Sequence, residues 1–349
     1  RLPGAFRELG LDTHIFGAPR SLLTVSRGRL ASHPLTTLLR LPQLIRPALE
    51  LARIIRRTGA TLVHTNSMKA HVIGALAAGL AGVPLVWHVR DILPPGWGTR
   101  MLGLVGRRTV HRAIAISDAV HHALVDLCGL DPARVVRVYN GIARPAGARS
   151  GALREELGLS PATPIVAAVA QIARWKGQLV LLEAAARLPA LHVVLVGEVL
   201  FPENETEYSD RLDLRGGRPD LAGRVHRVGR RADVFEILDS VDLLVHPVLE
   251  AEPFGRVLVE AMLARRPVVA SRTGAVAEIV SDRCGVLVEP GRPDLLAGAI
   301  ESLLADPDLR RKMGEAGRER AARMFSLDAT RLGVEAIYQE LVAPGAAGR

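Results

Sequence analysis

Two glutamates in the C-terminal half are spaced so that each could contact a different part of one elongated ligand. Glu252 precedes Pro253 and Gly255, which mark a turn from a loop into a helix, and Glu260 follows eight positions after Glu252. At about 1.5 Å per helical residue the carboxylates lie roughly 9–12 Å apart, too far to bind one metal ion. Carboxylates accept hydrogen bonds from sugar and ribose hydroxyls. The spacing favours a hydroxyl-rich ligand; the alternative is a solvated Glu followed by a Glu that pairs with arginine.

The helix that should begin between Phe254 and Arg256 adds an anion-binding feature. Its first amide N–H groups have no partner within the helix, and its dipole places partial positive charge at that end. An anionic ligand is therefore expected at Phe254, Gly255 and Arg256.

A second candidate loop, 170–177, lies between a predicted strand and a predicted helix. Ligands of open α/β sheets bind at the carboxyl ends of the strands, so the cations Arg174 and Lys176 should point towards the ligand. Gln171 can donate hydrogen bonds but brings no charge. Gly197 follows the next strand, 192–196, and is a candidate turn residue at the same edge.

Polar residues also end two predicted strands in the N-terminal half. One group follows the strand 61–64 and comprises Asn66, Ser67 and Lys69. The other ends the strand 84–88 and comprises His88, Arg90 and Asp91. Both groups could contact a second substrate, the acceptor. Asn and Ser also cap helices, however, and the residues of the second group could instead pair with one another.

Strand and helix patterns alternate along most of the chain, which predicts parallel sheets covered on both faces. The predicted strands of the first half are 12–16, 61–64, 84–88, 113–116 and 135–139. Those of the second half are 165–170, 192–196, 225–228, 243–246, 267–270 and 285–288. The segment 199–216 is expected to be a long loop, and 328–341 a final helix.

The 349 residues therefore divide into two α/β domains. We place a Rossmann-like domain at 1–145, a linker rich in Ala, Gly and Pro at 146–163, a second Rossmann-like domain at 164–327, and a terminal helix and tail at 328–349. Because residues 2–9 have the pattern of a helix end, a strand, loop and helix are expected before them.

These motifs resemble glycosyltransferase family 4 (glycosyltransferase group 1), retaining enzymes of the GT-B fold. The resemblance lies in the Glu–Phe-Gly–Glu pattern of 252–260, in Asn140-Gly141, in Ala261-Met262 and in the run 266–269. It implies two Rossmann-like domains with an intervening cleft, the first carrying the acceptor and the second the nucleotide sugar. It further implies that Glu252 faces the donor sugar and Glu260 the ribose.

The resemblance also assigns roles to the other candidate residues. Lys176 matches a lysine that binds the donor diphosphate, whereas the family's usual Gly-Arg is replaced by Ala170-Gln171, so that Arg174 or Arg256 would have to compensate. A family histidine near the reacting sugar is matched best by His88, with Arg90 or Asp91 as alternatives.

The function implied is transfer of a sugar from a UDP- or GDP-linked donor to a glycan or a lipid-linked acceptor, as in polysaccharide or glycolipid biosynthesis for the cell envelope. No cofactor and no metal are expected. The triplet 306–308 has an Asp-x-Asp pattern, but its position between two helical segments indicates a helix cap. The alternatives are a non-catalytic sugar-nucleotide-binding or membrane-associated scaffold, and a related reaction such as sugar-nucleotide epimerisation.

Charge is unevenly distributed along the chain. Residues 1–150 contain 20 Lys and Arg against 7 Asp and Glu, which gives +13, whereas residues 151–349 give −4. An aromatic content of 3% disfavours a nucleic-acid partner, because single strands are bound by stacking. Basic amphipathic segments suggest an anionic membrane instead, with ordinary surface helices as the alternative. The arginines in the first such segment are Arg40, Arg46, Arg53, Arg56 and Arg57.

The cellular location expected is the cytoplasm, with a peripheral position at the inner face of the cell membrane as the alternative. Cys128 and Cys284 are far apart in sequence and have no metal-binding spacing, which favours a reducing compartment.

Overall fold

Two parallel sheets organise the chain in the computed structural model, which describes residues 6–15, 42–147 and 151–342. The first unit draws on the chain up to Ala115, on Val120–Arg137 and on the chain from Glu335 onwards. The second unit comprises Ile116–Ala119 and Val138–Val334. Among the described residues, no helix is long and apolar enough to cross a membrane.

The first unit has a four-stranded parallel sheet in the order β1-β2-β3-β4. Its strands are β1 (Val63–Thr65), β2 (Leu85–Val89), β3 (Arg112–Ala115) and β4 (Val135–Arg137). The helices along this part of the chain are α1 (Pro42–Thr58), α2 (Met68–Ala81), α3 (Trp97–Thr109) and α4 (Asp118–His122), the last continuing as a π-helical turn over Ala123–Leu127. Every residue of β2 is buried, as expected for a strand covered on both faces.

The second unit has a six-stranded parallel sheet in the order β10-β9-β8-β5-β6-β7. Its strands are β5 (Ile165–Val169), β6 (His192–Val196), β7 (Val225–Gly229), β8 (Leu243–His246), β9 (Val268–Ser271) and β10 (Gly285–Val288). Its helices are α5 (Ala152–Glu156), α6 (Gln178–Ala185), α7 (Pro202–Gly216), α8 (Val234–Ser240), α9 (Arg256–Leu263), α10 (Val276–Ile279), α11 (Pro293–Ala305) and α12 (Pro307–Met324). The terminal helix α13 (Leu327–Val342) contributes to both units.

Alternate residues of the central strands fill two cores in the second unit. Val166 of β5 and Leu195 of β6 join one apolar cluster, with helices α6, α7 and α11. Ile165 and Val194, their neighbours in sequence, join another cluster, with α5 and α8. Successive side chains of a strand point to opposite faces, so both faces of this sheet are buried.

The strand order of the second sheet reverses between β5 and β8. From β5 the chain adds β6 and then β7 on one side, and it returns to place β8 on the other side, where Val166 is in register with Leu243. The loops that follow β5 and β8 therefore leave the sheet side by side at its carboxyl edge. Such a switch point is where open α/β sheets bind their ligands.

Most predicted elements of the two sheets agree with the structure within a few residues, but two predictions are wrong. Residues 12–15 form no strand. The apolar side chains of Leu11 and Ile15 are exposed, so they do not form a buried face. The expected loop 199–216 contains the helix α7, in which Tyr208 and Leu212 are buried one turn apart. Residues 1–5, 16–41 and 343–349 lie outside the described part of the chain, and with them part of the predicted strand 12–16, Arg40 and the tail.

Candidate functional site

Lys176 and Glu252 meet at the switch point of the second sheet. Lys176 ends a 3₁₀ turn, Arg174–Lys176, that follows β5, and Glu252 lies in the loop that follows β8. The Nζ atom of Lys176 is 2.6 Å from Oε2 of Glu252, and the two side chains are only 11% and 10% exposed. The topology thus brings together two candidates that are 76 residues apart in sequence.

Backbone contacts hold the two loops in this arrangement. The N–H of Leu249 donates to the carbonyl of Trp175 at 2.9 Å, and the carbonyl of Glu252 accepts from Ala275 at 2.8 Å. Gly177, directly after Lys176, has a φ of 70°, and a Cβ there would lie 1.9 Å from the carbonyl oxygen of Pro247. Glycine is therefore required where the first loop crosses the second.

His246 completes a buried polar group with these two residues. It is the last residue of β8, is 3% exposed, and its Nε2 lies 3.2 Å from the same Oε2 atom of Glu252. Sequence reasoning did not select it. The feature that could have indicated it is its position: His246 is a polar residue at the carboxyl end of the apolar strand Leu243–His246, directly before the loop.

The protonation states within this group follow from burial and charge. Burial alone would raise the pKa of Glu252, but the hydrogen bond with His246 and the ammonium of Lys176 outweigh it and lower that pKa to about 2. Burial lowers the pKa of His246 although Glu252 acts in the opposite direction. At neutral pH the carboxylate is therefore ionised and the imidazole neutral.

Helix α9 begins beside this group. Its N-cap, Gly255, has a φ of 77°, and Arg256 is the first helical residue. The Arg256 guanidinium is exposed and lies 3.7 Å from the carboxylate of Glu260, whose side chain is 16% exposed. Burial raises the pKa of Glu260. The start of the helix thus combines amide N–H groups, an arginine and a second carboxylate near one sheet edge.

Phe254 has a buried side chain. It is 2% exposed, and its ring centroid lies 6.2 Å from that of Tyr139 and 5.8 Å from that of Phe325. Any contact that Phe254 makes with a ligand must therefore come from its backbone, while its ring anchors the loop.

The remaining candidates of the second unit lie in or beside the loop that follows β5. The carbonyl of Gln171 accepts a hydrogen bond from Nε2 of Gln178 at 2.9 Å. Gly197 has a φ of 141°, and a Cβ there would lie 1.9 Å from the carbonyl oxygen of Ala170. Arg174 is exposed, and its N–H donates to a carboxylate oxygen of Glu205 in α7 at 2.9 Å.

A separate polar group lies in the first unit around His88. Nδ1 of His88 is 3.2 Å from Nε2 of His64, whose Nδ1 contacts the hydroxyl of Tyr338 in α13. Burial, and then the nearby charge of Arg90, lower the pKa of His88 to about 3. Arg90 itself donates to Oδ1 of Asn66 at 3.3 Å. The structure thus joins His88, Arg90 and Asn66 in one network.

Ser67 has a local structural role, because it is the N-cap of α2 and accepts from the N–H of Ala70 at 3.4 Å. Lys69 lies in the first turn of that helix, and Asp91 follows Arg90; both side chains are partly buried. Asp306 caps α12 by accepting from Leu309, as its position predicts. Within residues 6–15, 42–147 and 151–342 no three His, Cys, Asp or Glu side chains cluster as metal ligands would.

Two parallel-sheet α/β units, with a charged group at a switch point of the second, define a protein of the GT-B class. Residues 2–144 match the model of "Glycosyltransferase Family 4" and residues 150–320 that of "Glycosyl transferases group 1". The chain belongs to glycosyltransferase family 4, and it is a glycosyltransferase. The resemblance read from the sequence is thereby confirmed.

Similar proteins support this assignment along most of the chain. The alpha-maltose-1-phosphate synthase of Mycolicibacterium smegmatis is 34% identical over 345 residues, which cover 90% of this chain and 87% of that protein. The D-inositol 3-phosphate glycosyltransferase of Segniliparus rotundus is 30% identical over 82% of this chain and 67% of that protein. The crystal structure of Anabaena HepE in complex with UDP is similar with a TM-score of 0.79 and 28% identity, over 96% of this chain and 88% of that one.

Proposed function

We propose that this glycosyltransferase transfers a sugar from a nucleoside diphosphate sugar, and that the group at the switch point of the second unit binds the donor. The observation that carries the proposal is the buried contact between Lys176 and Glu252 beside the first turn of α9. A cation and a helix N-terminus suit a diphosphate, while carboxylates suit hydroxyls. Glu260, further along α9, would accept from the ribose.

A UDP-linked donor is favoured over a GDP-linked one by the similar structures. Anabaena HepE was crystallised in complex with UDP and with UDP-glucose, and each of those structures covers 96% of this chain. The acceptor we propose is a glycan or a lipid-linked sugar, as in polysaccharide or glycolipid biosynthesis for the cell envelope. The polar network of His88, Arg90 and Asn66 in the first unit is the candidate acceptor-side group.

The mechanism we propose is metal-independent and retains the anomeric configuration. The bond between the anomeric carbon of the sugar and the diphosphate oxygen breaks, and the bond from that carbon to the acceptor oxygen forms on the same face. The leaving diphosphate takes the proton of the acceptor hydroxyl. Lys176 and the N–H groups at the start of α9 stabilise the developing negative charge. Gln171 brings no charge to this site, so Arg256, which begins α9, and Arg174, in the turn that ends at Lys176, are the cations that we propose compensate.

The test is a panel of UDP- and GDP-sugars with glycan and lipid-linked acceptors, with and without a chelator, followed by NMR of the product linkage. We expect transfer in the presence of the chelator and retention of configuration. Loss of activity with the chelator and its recovery with Mn²⁺ would contradict metal independence, and an inverted linkage would contradict the mechanism. Binding without turnover of any donor would favour a scaffold, and an altered free sugar nucleotide would reveal epimerisation.

Helix α1 supports a position at the inner face of the cell membrane. Its apolar side chains Ile45 and Leu49 are exposed, and the arginines Arg46, Arg53 and Arg57 are exposed on the same helix. Arginines beside exposed apolar side chains bind the surface of an anionic bilayer. We therefore propose a cytoplasmic protein that associates peripherally with anionic lipid through this helix.

A further inference from the structure

Both contacts to Glu252 end on one of its two carboxylate oxygens. Lys176 and His246 approach Oε2, at 2.6 Å and 3.2 Å, and no described residue donates a hydrogen bond to Oε1. The side chain is 10% exposed, and Oε1 is not among the buried polar atoms that lack a hydrogen-bond partner, so this small exposure includes Oε1. The geometry leaves one oxygen held by the protein and the other available to a ligand.

The two side chains that contact Oε2 differ in how freely they can move away from it. Lys176 ends a short turn, has a flexible stem and also lies 3.9 Å from the centroid of the Trp175 ring. His246 belongs to β8, where it is in register with Ala270 of β9, and its ring is buried. A bound diphosphate can therefore draw away the ammonium, whereas the imidazole stays in place.

The proton on His246 is fixed by its neighbour. The imidazole is neutral and Glu252 is ionised, so an attractive contact between Nε2 and Oε2 requires the hydrogen on Nε2, which donates. Once Lys176 has moved to the diphosphate, this is the contact that keeps a buried carboxylate charged. Without it, the carboxyl would take up a proton or retain the lysine.

We propose that His246 is a positioning residue for Glu252: it holds Oε2 by donation from Nε2, so that Oε1 accepts from a donor-sugar hydroxyl while Lys176 moves to the diphosphate. This rests on the proposed function, because it assumes a nucleoside diphosphate sugar in the site. It adds a residue that the family motifs in the sequence did not indicate, and it separates sugar recognition from diphosphate binding.

The experiment compares His246→Met, which removes the donor, with His246→Gln, whose amide nitrogen can replace Nε2, and uses exposed His122→Met as the control. The readouts are the Kd for UDP by calorimetry, and kcat and KM for UDP-glucose turnover at neutral pH. We expect His246→Met to keep the Kd for UDP within about twofold and to lose about 10- to 10²-fold in kcat. His246→Gln should recover most of kcat.

Other outcomes separate this proposal from the proposed function. A wild-type enzyme that neither binds UDP nor turns over UDP-glucose would count against both. If the wild type is active and His246→Met keeps its kcat, the positioning role alone is overturned, as it is by equal losses of UDP binding and turnover in both variants. If His246→Met does not fold, His246→Asn replaces it, because the amide of Asn is too short to reach Oε2. Activity of His246→Asn equal to that of His246→Gln would then overturn the proposal.

Discussion

At the scale of single residues, the charge on Glu252 should matter more than its volume. We expect Glu252→Gln, which keeps the shape, to lower kcat/KM for donor turnover by about 10²-fold, because a hydrogen bond to a charged group contributes about 1.5–3 kcal/mol. The exposed neighbour Glu250 offers a matched control, since Glu250→Gln removes the same charge two residues away. Steady-state kinetics of both variants, with circular dichroism to confirm folding, make the comparison. Equal activity of the two would contradict the role of Glu252.

The residues of this site differ in how far they could be predicted from the sequence. Glu252 and Lys176 stand in recognisable loop-to-helix segments, so their residue types and spacing could be interpreted. His246 could not be distinguished from a core histidine, because only the strand order shows that its strand ends beside β5. The ion pair itself was also beyond prediction, since its partners are 76 residues apart.

At the scale of elements, strands that are buried on both faces of a sheet were predicted correctly, whereas a helix that buries only a narrow apolar stripe was not. The strands β5, β6 and β8 are apolar on both faces, so their patterns were unambiguous. Helix α7 is mostly polar, and among its described apolar side chains only Tyr208 and Leu212 are buried, a stripe too thin to be separated from a loop by pattern alone. Its existence matters for the site, because Glu205 on this helix accepts from the N–H of Arg174.

The crossing of the two site loops should be intolerant of any side chain at Gly177. Gly177→Ala places a Cβ where it would lie 1.9 Å from the Pro247 carbonyl, in addition to the cost of its left-handed φ. Gly158 has a φ of 65° and open space around it, so Gly158→Ala incurs the backbone cost alone. We expect a loss of about 1–2 kcal/mol for Gly158→Ala and about 2–5 kcal/mol for Gly177→Ala, measured by urea unfolding. Equal losses would show that the loops can separate.

Helix α1 should determine binding to anionic lipid. Sedimentation with vesicles containing phosphatidylglycerol should decrease as salt increases, because the attraction is about 1 kcal/mol per cation and is screened within a Debye length. The double variant Arg46→Glu, Arg53→Glu should bind about 10-fold more weakly or worse. Arg318→Glu with Arg323→Glu, exposed on α12, makes the same change of net charge elsewhere and should bind nearly as wild type. Equal weakening by both pairs would mean that net charge, not α1, is responsible.

At the scale of the whole molecule, buried histidines should make stability depend on pH. Burial lowers the pKa of His71 and of His88 to about 3, so the unfolded chain, with values near 6.5, binds more protons. Stability is then fully present above about pH 6.5 and is lost as the pH falls towards 3, by about 2 kcal/mol for each histidine at pH 5. The urea midpoint at pH 8 and at pH 5 measures this loss.

A variant of His71 isolates the effect of one group. His71→Gln keeps a polar atom near Thr65, which lies 2.7 Å from Nδ1 of His71, but does not titrate. The loss between pH 8 and pH 5 should shrink by about 2 kcal/mol in His71→Gln and should stay unchanged in the exposed control His122→Gln. A pH dependence that is the same in all three proteins would mean that His71 does not remain neutral when buried.

Helix α13 has a consequence for how the protein is made. The hydroxyl of Tyr338 contacts His64, and Glu340 pairs with Arg112, so the first unit contains residues that are synthesised about 200 positions after Arg137. At ribosomal speeds of about 5–20 residues per second, that interval is about 10–40 s. During this time the first sheet has left the ribosome without the helix that contributes Tyr338. The nascent first unit must therefore wait, incomplete, until α13 has been synthesised, and chaperones have that period in which to bind it.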